Sequence, residues 1–393
     1  MNVSTKTASG ALLGALLAAT TVATIHANGG DALAQQSHGV TMNQIVAAWR
    51  ARQDRVKSAR FEMQQQYITG KGTEPGKWMM VPQYQGSNAD PNRVLPPEDV
   101  THDLRRVVIF AGDKMRHERT GAQWWAATED FVPMQYVGIF DGSDSIAYYG
   151  TPSNTNDVRS LGFLHPDKAY HPDRGSVHVL PILMHYRALT PRLSSFDAAK
   201  WIVQEQSQIV EGRECIVLKR VNGVRTYRYW VDAQRNFALM RYSKEFHTFT
   251  ILQLDIAYAT DPESGSVPQR WQFVKRDTDG RLIASGHSTV TNYALNCDVP
   301  EGTFEFEFPA GTEVTESGKR DPYIVMPKGR KRAITAAERD RAATYEELLA
   351  TPSGQARLVQ PRRGTWVWNL LWAVPVIGIS AAVAFFIYRH RWR

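Results

Sequence analysis

The second half of the chain is a run of short alternating segments joined by hairpin turns, and this pattern narrows the possible folds to an antiparallel sheet. Segments between residues 201 and 293 alternate polar and apolar residues, and dipeptides such as Glu211-Gly212 and Asn222-Gly223 separate them. No helical period interrupts the series. Because a long meander curls to cover one face, we predict a mainly β (α+β) domain whose curved sheet wraps around helices.

The first half supplies the helices. Thr41 is predicted to be the N-cap residue of a helix, with Gln44 three positions later as its capping-box partner. The helix that follows has an apolar face and a charged face, Ile45, Val46, Trp49 and Val56 against Arg50, Arg52, Asp54 and Arg55. Strand spacing begins at residue 58, and hairpins continue from 104 to 149. Residues 177–189 predict a short helix with Pro181 in its first turn.

The last part of the chain predicts a membrane anchor. Residues 366–388 contain no charged side chain, and about 20 apolar residues cross a hydrocarbon core of roughly 30 Å. Tryptophans 366, 368 and 372 crowd one end of this run, as in an aromatic belt. We therefore predict a single transmembrane helix, for which the alternative is a buried core helix.

The beginning of the chain predicts export. An apolar segment at 11–25 follows Lys6, and Ala32-Leu33-Ala34 has the small-x-small pattern of a signal-peptidase site. Cleavage there would place the N-terminal domain outside the cytoplasm and the short C-terminal tail inside it, and the alternative is an uncleaved signal anchor. The predicted segments are a signal peptide (1–34), a folded domain (35–315) with an insertion at about 70–100, a juxtamembrane stalk (316–365), the transmembrane helix (366–388) and a tail (389–393). The insertion suits either a lid or a surface excursion.

The net charge of +7 lies mostly outside the predicted folded domain. The stalk holds eleven Lys and Arg residues against six Asp and Glu residues. Its basic residues lie near the predicted membrane surface, where acidic lipid headgroups attract them. The nearly neutral folded domain argues against a nucleic-acid partner.

Two sets of residues suggest special chemistry and leave alternatives open. Cys215 and Cys297 are either a disulfide, as an oxidising compartment favours, or two buried thiols. The histidines at 165, 171, 178 and 185 recur every six or seven residues, but Pro172 and Pro181 prevent the single helix that would align them. We therefore predict no metal and no cofactor. Hydrolase motifs such as Gly-x-Ser-x-Gly and His-Glu-x-x-His are absent from the sequence, and we predict no enzymatic activity.

Several stretches resemble the bacterial lipoprotein-carrier superfamily, which includes outer-membrane lipoprotein-sorting proteins and the sensor domains of sigma-factor regulators. They are the opening helix at 45–56 with the strand Phe61-Glu-Met-Gln-Gln, the pair 210–218 and 229–232, and the closing segment 299–314 with its Phe-x-Phe-x-Phe-Pro-x-Gly ending. The resemblance implies an antiparallel half-barrel with helices plugging it. The soluble carriers lack an anchor, so this chain departs from their shuttling role.

The resemblance also suggests what the domain binds. Aromatic residues inside a half-barrel either fill the core or hold an acyl chain, and we name five as candidate ligand-binding residues, Trp124, Trp125, Phe140, Trp230 and Trp271. The predicted function is non-enzymatic binding of a lipid or lipoprotein acyl chain by a membrane-anchored periplasmic domain. The alternative is an envelope sensor or protein-interaction module with the same fold.

Overall fold

Seventeen strands and four α-helices form the described part of the computed structural model, which comprises residues 39–71, 98–125, 130–150, 160–166, 177–194, 196–319, 321–340 and 343–350. The helices are α1 (Met42–Arg55), α2 (Leu180–Tyr186), α3 (Ala336–Asp340) and α4 (Tyr345–Ala350). The strands are β1 (Ser58–Thr69), β2 (Val100–Ala111), β3 (Lys114–Trp125), β4 (Asp130–Phe140), β5 (Ser145–Gly150), β6 (Leu161–His165), β7 (Ile202–Val203), β8 (Gln208–Val210), β9 (Arg213–Asn222), β10 (Arg225–Asp232), β11 (Ala238–Phe246), β12 (Phe249–Asp261), β13 (Gly265–Arg276), β14 (Leu282–Leu295), β15 (Glu313–Glu316), β16 (Tyr323–Val325) and β17 (Lys331–Ala333).

The strands form one series of neighbours. Its order is β17-β16-β15-β6-β5-β4-β3-β2-β1-β14-β13-β12-β11-β10-β9, and both β7 and β8 pair with the remaining side of β9. Every pairing is antiparallel except that of β6 with β15. The predicted mainly β, antiparallel architecture is thus confirmed, with two hairpin-connected series that meet where β1 pairs with β14.

Helix α1 begins as the sequence predicts. The Thr41 side chain accepts a hydrogen bond from the Gln44 amide, and the Gln44 side chain accepts one from the Thr41 amide at 2.7 Å. Ile45 and Trp49 are buried against the sheet, and the Trp49 indole donates to the Phe237 carbonyl at 2.7 Å. The prediction was wrong for Arg52, which is buried rather than on the solvent face.

Strand alternation sends one set of side chains to a common core. Phe61 and Met63 of β1 are fully buried, and they join residues from β2, β9–β14, α1 and α2 in one hydrophobic cluster. Helix α2 has Pro181 in its first turn, as predicted, and all of its residues from Pro181 onward are buried. Both helices therefore lie on the concave face of the curved sheet.

The segment after β14 differs from the predicted terminal strand. Phe304, Phe306 and Phe308 do alternate with exposed glutamates, but residues 299–312 form no ladder and instead pack on the outer face of β4 and β5. Gly162 makes this contact possible, because a Cβ there would lie 2.5 Å from the Phe308 ring and 2.9 Å from Val314.

The predicted stalk begins too early. Strand β15 pairs with β6, while β16 and β17 extend the sheet beyond it, and α3 and α4 follow. Ile324, Ile334 and Leu348 are buried together, so this part of the chain has a small core of its own. Because these apolar side chains are buried against one another, this part of the chain is folded and is not an extended stalk.

Several predicted segments lie outside the described residues. They are the signal peptide, most of the insertion (72–97), the end of the stalk and the transmembrane helix at 366–388. No helix within the described ranges combines the length and the apolar content that crossing a membrane requires.

Candidate functional site

The concave face of the sheet divides into two halves that differ in what covers them. We call the first the helix-filled half, where α1 and α2 contact the sheet around Phe61 and Phe110. The Tyr186 ring lies 5.6 Å from the Phe61 ring and 5.9 Å from the Phe110 ring. Aromatic rings at these distances attract one another and bury a large area. This half is a packed core.

Arg187 secures the end of α2 in the helix-filled half. Its guanidinium donates to the carbonyls of Val56 (2.8 Å), Lys57 (2.7 Å) and Gly112 (3.0 Å) and lies 4.1 Å from the centre of the Phe110 ring. Burial lowers the pKa of Arg187 to about 10, which leaves the side chain charged at neutral pH. One arginine therefore joins the helix to the β1 and β2 corner.

Arg52 and His185 form a second buried contact there. Arg52 lies 2.8 Å from His185 Nδ1 and donates to the Asn236 carbonyl at 3.1 Å, and His185 Nε2 lies 2.7 Å from the Ser266 carbonyl. Burial, and next the charge of Arg52, hold the pKa of His185 well below its usual range. A neutral ring that donates from Nε2 and accepts at Nδ1 satisfies both partners.

The other half of the concave face, which we call the basic half, carries inward-facing cationic side chains. Gln65 of β1 accepts from Arg106 Nε at 2.7 Å, and the Arg106 guanidinium lies 3.0 Å from His117 Nε2. His178, just before α2, hydrogen-bonds to the other end of the Gln65 amide. Arg119 stands directly opposite Arg106 across the β2–β3 ladder. These five residues form one connected polar cluster.

The β9–β13 side of the basic half contributes further cations. Tyr227 is their common neighbour, with Arg220 at 4.7 Å and Lys244 at 5.9 Å from its ring centre. Lys275 of β13 follows the buried, inward-facing Phe273 by two residues and therefore shares its face. The basic half thus comprises Arg106, Arg119, Arg220, Lys244 and Lys275, together with the histidines and aromatic residues among them.

The pKa values of His178 and Lys275 are lowered by burial and by neighbouring positive charges. The pKa of His178 falls well below its usual range, first because of burial and then because of Arg106, Arg119, His117 and Lys275. Burial, and next Lys244, lower the pKa of Lys275 to about 8. Charges on both sides of the concave face therefore act on one another.

The carboxylates of the same strands lie on the opposite, outer face. There Arg105 donates to Glu62 at 2.8 Å and Arg116 donates to Glu118 at 2.6 Å. Two further outer-face pairs join Arg228 with Glu245 and Arg241 with Asp255. Alternation therefore separates the strands into an outer face of mixed charge and an inner face whose basic half is rich in positive charge.

Aromatic side chains share the basic half with the cations. Tyr67 lies 5.8 Å from Phe273 and 5.7 Å from His178, measured between ring centres. Across the sheet, Tyr149 lies 5.0 Å from Tyr136 and 6.0 Å from Phe163. The rings of Tyr67, Tyr149, Phe163 and Tyr227 are only half-buried. They offer apolar surface, unlike the fully buried rings of the helix-filled half.

The five predicted ligand-binding residues do not form one site. Phe140 is fully buried on the concave face beside the helices, and Trp271 is buried on β13 near the boundary between the two halves. Trp230 packs on the outer face, because Tyr229 and Val231 occupy the inward positions of β10. Trp124 and Trp125 end β3, and their side chains lie outside the described part of the chain.

Cys215 and Cys297 are free thiols in the structure, which is the unpaired one of the two alternatives. Cys215 is buried on the outer face of β9 with Trp230 and Met240, and burial raises its pKa to about 12. Cys297 follows β14, and its carbonyl accepts from the Ser58 hydroxyl at 2.6 Å. Four strands, β10–β13, separate β9 from β14, far beyond the roughly 7 Å that a disulfide can span between Cα atoms.

The predicted histidine series does not converge. His165 ends β6, His178 contacts Gln65, His185 contacts Arg52, and His171 lies outside the described residues. Across the residues that the structure describes, no group of three or more His, Cys, Asp and Glu side chains is arranged to hold a metal ion.

A separate groove of about 370 Å³ lies on the outer face of β9–β12. The side chains that line it include Gln204, Gln206, Gln208, Arg228, Trp230, Arg241, Ser243 and Glu245. Trp230 donates to Gln208 at 2.7 Å, and Arg228 pairs with Glu245. Two pairs of lining side chains thus bind one another, while Ser243 Oγ is buried there without a hydrogen-bond partner among the described residues. The groove has no cluster of half-buried aromatic rings, and we place the candidate site on the concave face, where such rings lie.

The cations of the basic half escaped the sequence analysis, although the strand period contained the signal. Leu104 and Val108 are buried and inward, so Arg106 between them must face inward as well. By the same alternation, Lys275 must lie on the same face of β13 as the buried residues Trp271 and Phe273. When only the apolar residues of an alternating strand are considered, a charged residue at an inward-facing position is overlooked.

No protein-family model matches the sequence, and no curated protein matches it. Among solved structures, the chain is similar to the crystal structure of a LolA superfamily protein from Nitrosomonas europaea, with 12% identity and a TM-score of 0.36, over 68% of this chain and 98% of that one. Values this low carry no conclusion about this chain.

Proposed function

We propose that the protein binds an acyl chain or lipid, without catalysis, on the basic half of its concave face. The observation that carries this proposal is the half-buried aromatic surface of Tyr67, Tyr149, Phe163 and Tyr227, which keeps exposed area, unlike the fully buried rings of Phe61, Phe110 and Tyr186. Ligand sites are concave and mostly apolar, with a few polar groups that orient the ligand. The helix-filled half leaves its core to protein side chains, so the ligand lies in the other half.

The size of the hydrophobic effect favours a flexible apolar ligand. Each buried methylene contributes about 0.8 kcal/mol, so burial of about ten methylenes would contribute roughly 8 kcal/mol, and a long acyl chain gains more from these rings than a short one. Tyrosine rings suit this role because each joins an apolar body to a hydroxyl that can remain in water.

The proposal also includes a place in the cell. An exported domain held by a helix at 366–388 would meet lipids and lipoprotein acyl chains at the outer surface of the cytoplasmic membrane. The support for this placement is the sequence pattern of the two ends of the chain. A tethered protein of this kind would hold its ligand at the membrane rather than carry it across the envelope.

Photo-crosslinking of the full chain tests the proposal. Bacterial cells that express the protein would be fed a fatty acid with a photoreactive diazirine, irradiated, and analysed by peptide mass spectrometry. We expect lipid adducts on inward-facing residues of β1, β3, β5 and β13, and we expect a Tyr67→Asp, Tyr149→Asp variant to lose them. Adducts restricted to 366–388, or none, would contradict lipid binding and favour the alternative of a protein-interaction module.

A further inference from the structure

We infer that the outer groove of β9–β12 is a second binding site and that its ligand is a neutral saccharide. The groove lies on the face opposite the one where we propose lipid binding, so this inference is independent of the proposed function. Its volume of about 370 Å³ lies near the lower end of the roughly 300–1,000 Å³ that small-molecule sites occupy. The groove therefore suits a small ligand of one or two sugar rings.

The shape of the groove follows from one small residue among long ones. Ser243 of β11 stands opposite Arg228 of β10 and Gln253 of β12. The neighbouring outward positions of β11 hold Arg241 and Glu245, which also line the groove. Outward-facing side chains on adjacent strands lie side by side, so four long side chains surround the serine. The depression is therefore a property of the folded sheet itself.

Three glutamines form one wall of the groove. Gln204, Gln206 and Gln208 lie two residues apart in the segment that runs from β7 into β8, and all three line the groove. The Trp230 indole donates to the Gln208 side chain at 2.7 Å. The backbone amide of Gln204 donates to the Val217 carbonyl at 2.8 Å, so the wall is held to β9 and β10. Carboxamide groups both donate and accept hydrogen bonds, as the hydroxyl groups of a sugar do.

The arginines that line the groove already have carboxylate partners. Arg228 forms an ion pair with Glu245, and Arg241 forms one with Asp255 of β12. Gln253 also donates to Asp255 at 2.8 Å. A charged ligand would have to displace one of these partners or lose its water beside a neutral pair, and both are unfavourable. A neutral ligand leaves the two ion pairs intact.

The Ser243 hydroxyl is a polar group at the centre of the groove that lacks a partner. The residue is 3% exposed, and its Oγ atom has no hydrogen-bond partner among the described residues. Buried hydroxyl groups are generally paired with protein, water or ligand. Because a hydroxyl both donates and accepts, a sugar hydroxyl that reaches this position can bond to Ser243 in either direction. An acyl chain has no such group, which distinguishes this site from the concave one.

Ligand-observed NMR on the full chain in phosphatidylcholine nanodiscs tests the inference, with empty discs as the blank. The neutral probes are glucose, galactose, N-acetylglucosamine and maltotriose. Glucosamine and glucuronate are their charged counterparts, and triglycine represents a peptide. We expect saturation transfer to at least one neutral probe. Titrations should give glucosamine an affinity at least about fivefold below that of N-acetylglucosamine, and glucuronate one at least about fivefold below that of glucose, because each adds an uncompensated charge.

Matched variants locate the site. Ser243→Leu fills the centre of the groove, and Ser285→Leu makes the same change on the outer face of β14, outside the lining. We expect Ser243→Leu to lose about tenfold or more in affinity for the neutral probe that binds most tightly, and Ser285→Leu to change it by less than about twofold. Ser243→Ala removes only the hydroxyl, and we expect it to lose about fivefold.

Fatty-acid crosslinking on the concave face serves as the folding control, because all three variants leave that face unchanged. Tighter binding of maltotriose than of glucose would identify a glycan as the ligand, and equal binding a free sugar; both results support the site. Failure of every neutral sugar to bind, or equal losses in Ser243→Leu and Ser285→Leu, would overturn the site while lipid binding stands. Triglycine that binds in place of the sugars would overturn the saccharide assignment. A chain that binds sugars but gives no lipid crosslinks would contradict only the proposed function.

Discussion

The two halves of the concave face both bury positive side chains, yet they use them differently. In the helix-filled half, Arg187 directs its donors to backbone carbonyls of three chain segments. In the basic half, Arg106 directs its donors to the side chains of Gln65 and His117. Backbone carbonyls are fixed parts of the fold, whereas side chains around a site can rearrange their hydrogen bonds when a ligand arrives.

This difference shows that buried cationic side chains can have different roles in one fold. A guanidinium that donates to main-chain carbonyls holds separate chain segments together, and its removal takes a donor from each of them. A guanidinium held by side chains of neighbouring strands, as Arg106 is, instead adds a buried charge to the face on which it lies. The following variants test whether the two halves are separate in this way.

Replacement of Arg187 should have the largest effect. Arg187→Met leaves the carbonyls of Val56, Lys57 and Gly112 without this donor and should lower the free energy of unfolding by about 3–5 kcal/mol. Urea titration of the full chain in nanodiscs, followed by tryptophan fluorescence, measures this. Arg192→Met is the control, because Arg192 is exposed and should contribute less than about 1 kcal/mol. Equal stabilities for the two variants would refute the conclusion that Arg187 joins α2 to the β1 and β2 corner.

Trp49 tests the same half with a smaller change. Trp49→Phe removes the indole donor to the Phe237 carbonyl and part of the buried ring, and we expect a loss of about 1–3 kcal/mol. Fatty-acid crosslinking should stay unchanged in the folded variant, since Trp49 belongs to the helix-filled half. A variant of normal stability that loses these crosslinks would mean that the ligand extends between the helices.

The pH dependence of stability tests the basic half. Because the pKa of Lys275 is lowered to about 8, the folded protein loses this proton at a lower pH than the unfolded chain does. Lys244 on β11 and His178 are two of the groups whose charge is coupled to that of Lys275, and its ladder partners Leu252 and Ala284 are apolar. The free energy of unfolding should therefore gain about 1 kcal/mol from this residue between about pH 7.5 and pH 10, since water screens part of the effect.

Arginine at position 275 supplies the matched control, because a guanidinium stays charged throughout this range. In the Lys275→Arg variant, urea titration should find that this gain of about 1 kcal/mol is absent over the same interval. Parallel changes in the two proteins would assign the titration to another group.

Removal of the Lys275 side chain should change stability least. We expect Lys275→Gln to alter the free energy of unfolding by no more than about 1 kcal/mol, because burial lowers the pKa of this lysine and the substitution removes a charge that burial disfavours. The same urea titration measures this. A loss comparable to that of Arg187→Met would erase the distinction between the halves.

Most of the sheet could be predicted from the sequence, because its information is local. The capping box at Thr41 and Gln44 and the turns at Gly212 and Gly223 each lie within a few residues, and all of them are present as predicted. The position of Pro181 likewise set the start of α2. Local sequence signals determine where helices, strands and turns begin and end, but they do not determine which of them lie beside one another.

The site could not be predicted in the same way, because it depends on pairings between distant segments. The aromatic residues chosen from the sequence separated onto two faces once register was known, with Trp230 outward and Trp271 inward. Arg52 appeared to lie on the polar face of α1 until the packing of α2 supplied His185 as its partner. Nothing near Arg52 in the sequence indicates a contact with a residue so far along the chain.

The parallel pairing of β6 with β15 has a consequence for the order in which the domain can be completed. The register sets Leu161 beside Glu313, so β6 emerges during synthesis long before its partner. Until then the backbone groups on that side of β6 form an open template for pairing with another chain. Synthesis must therefore reach β15 before this edge is paired, and a chaperone that shields β6 would act in that interval.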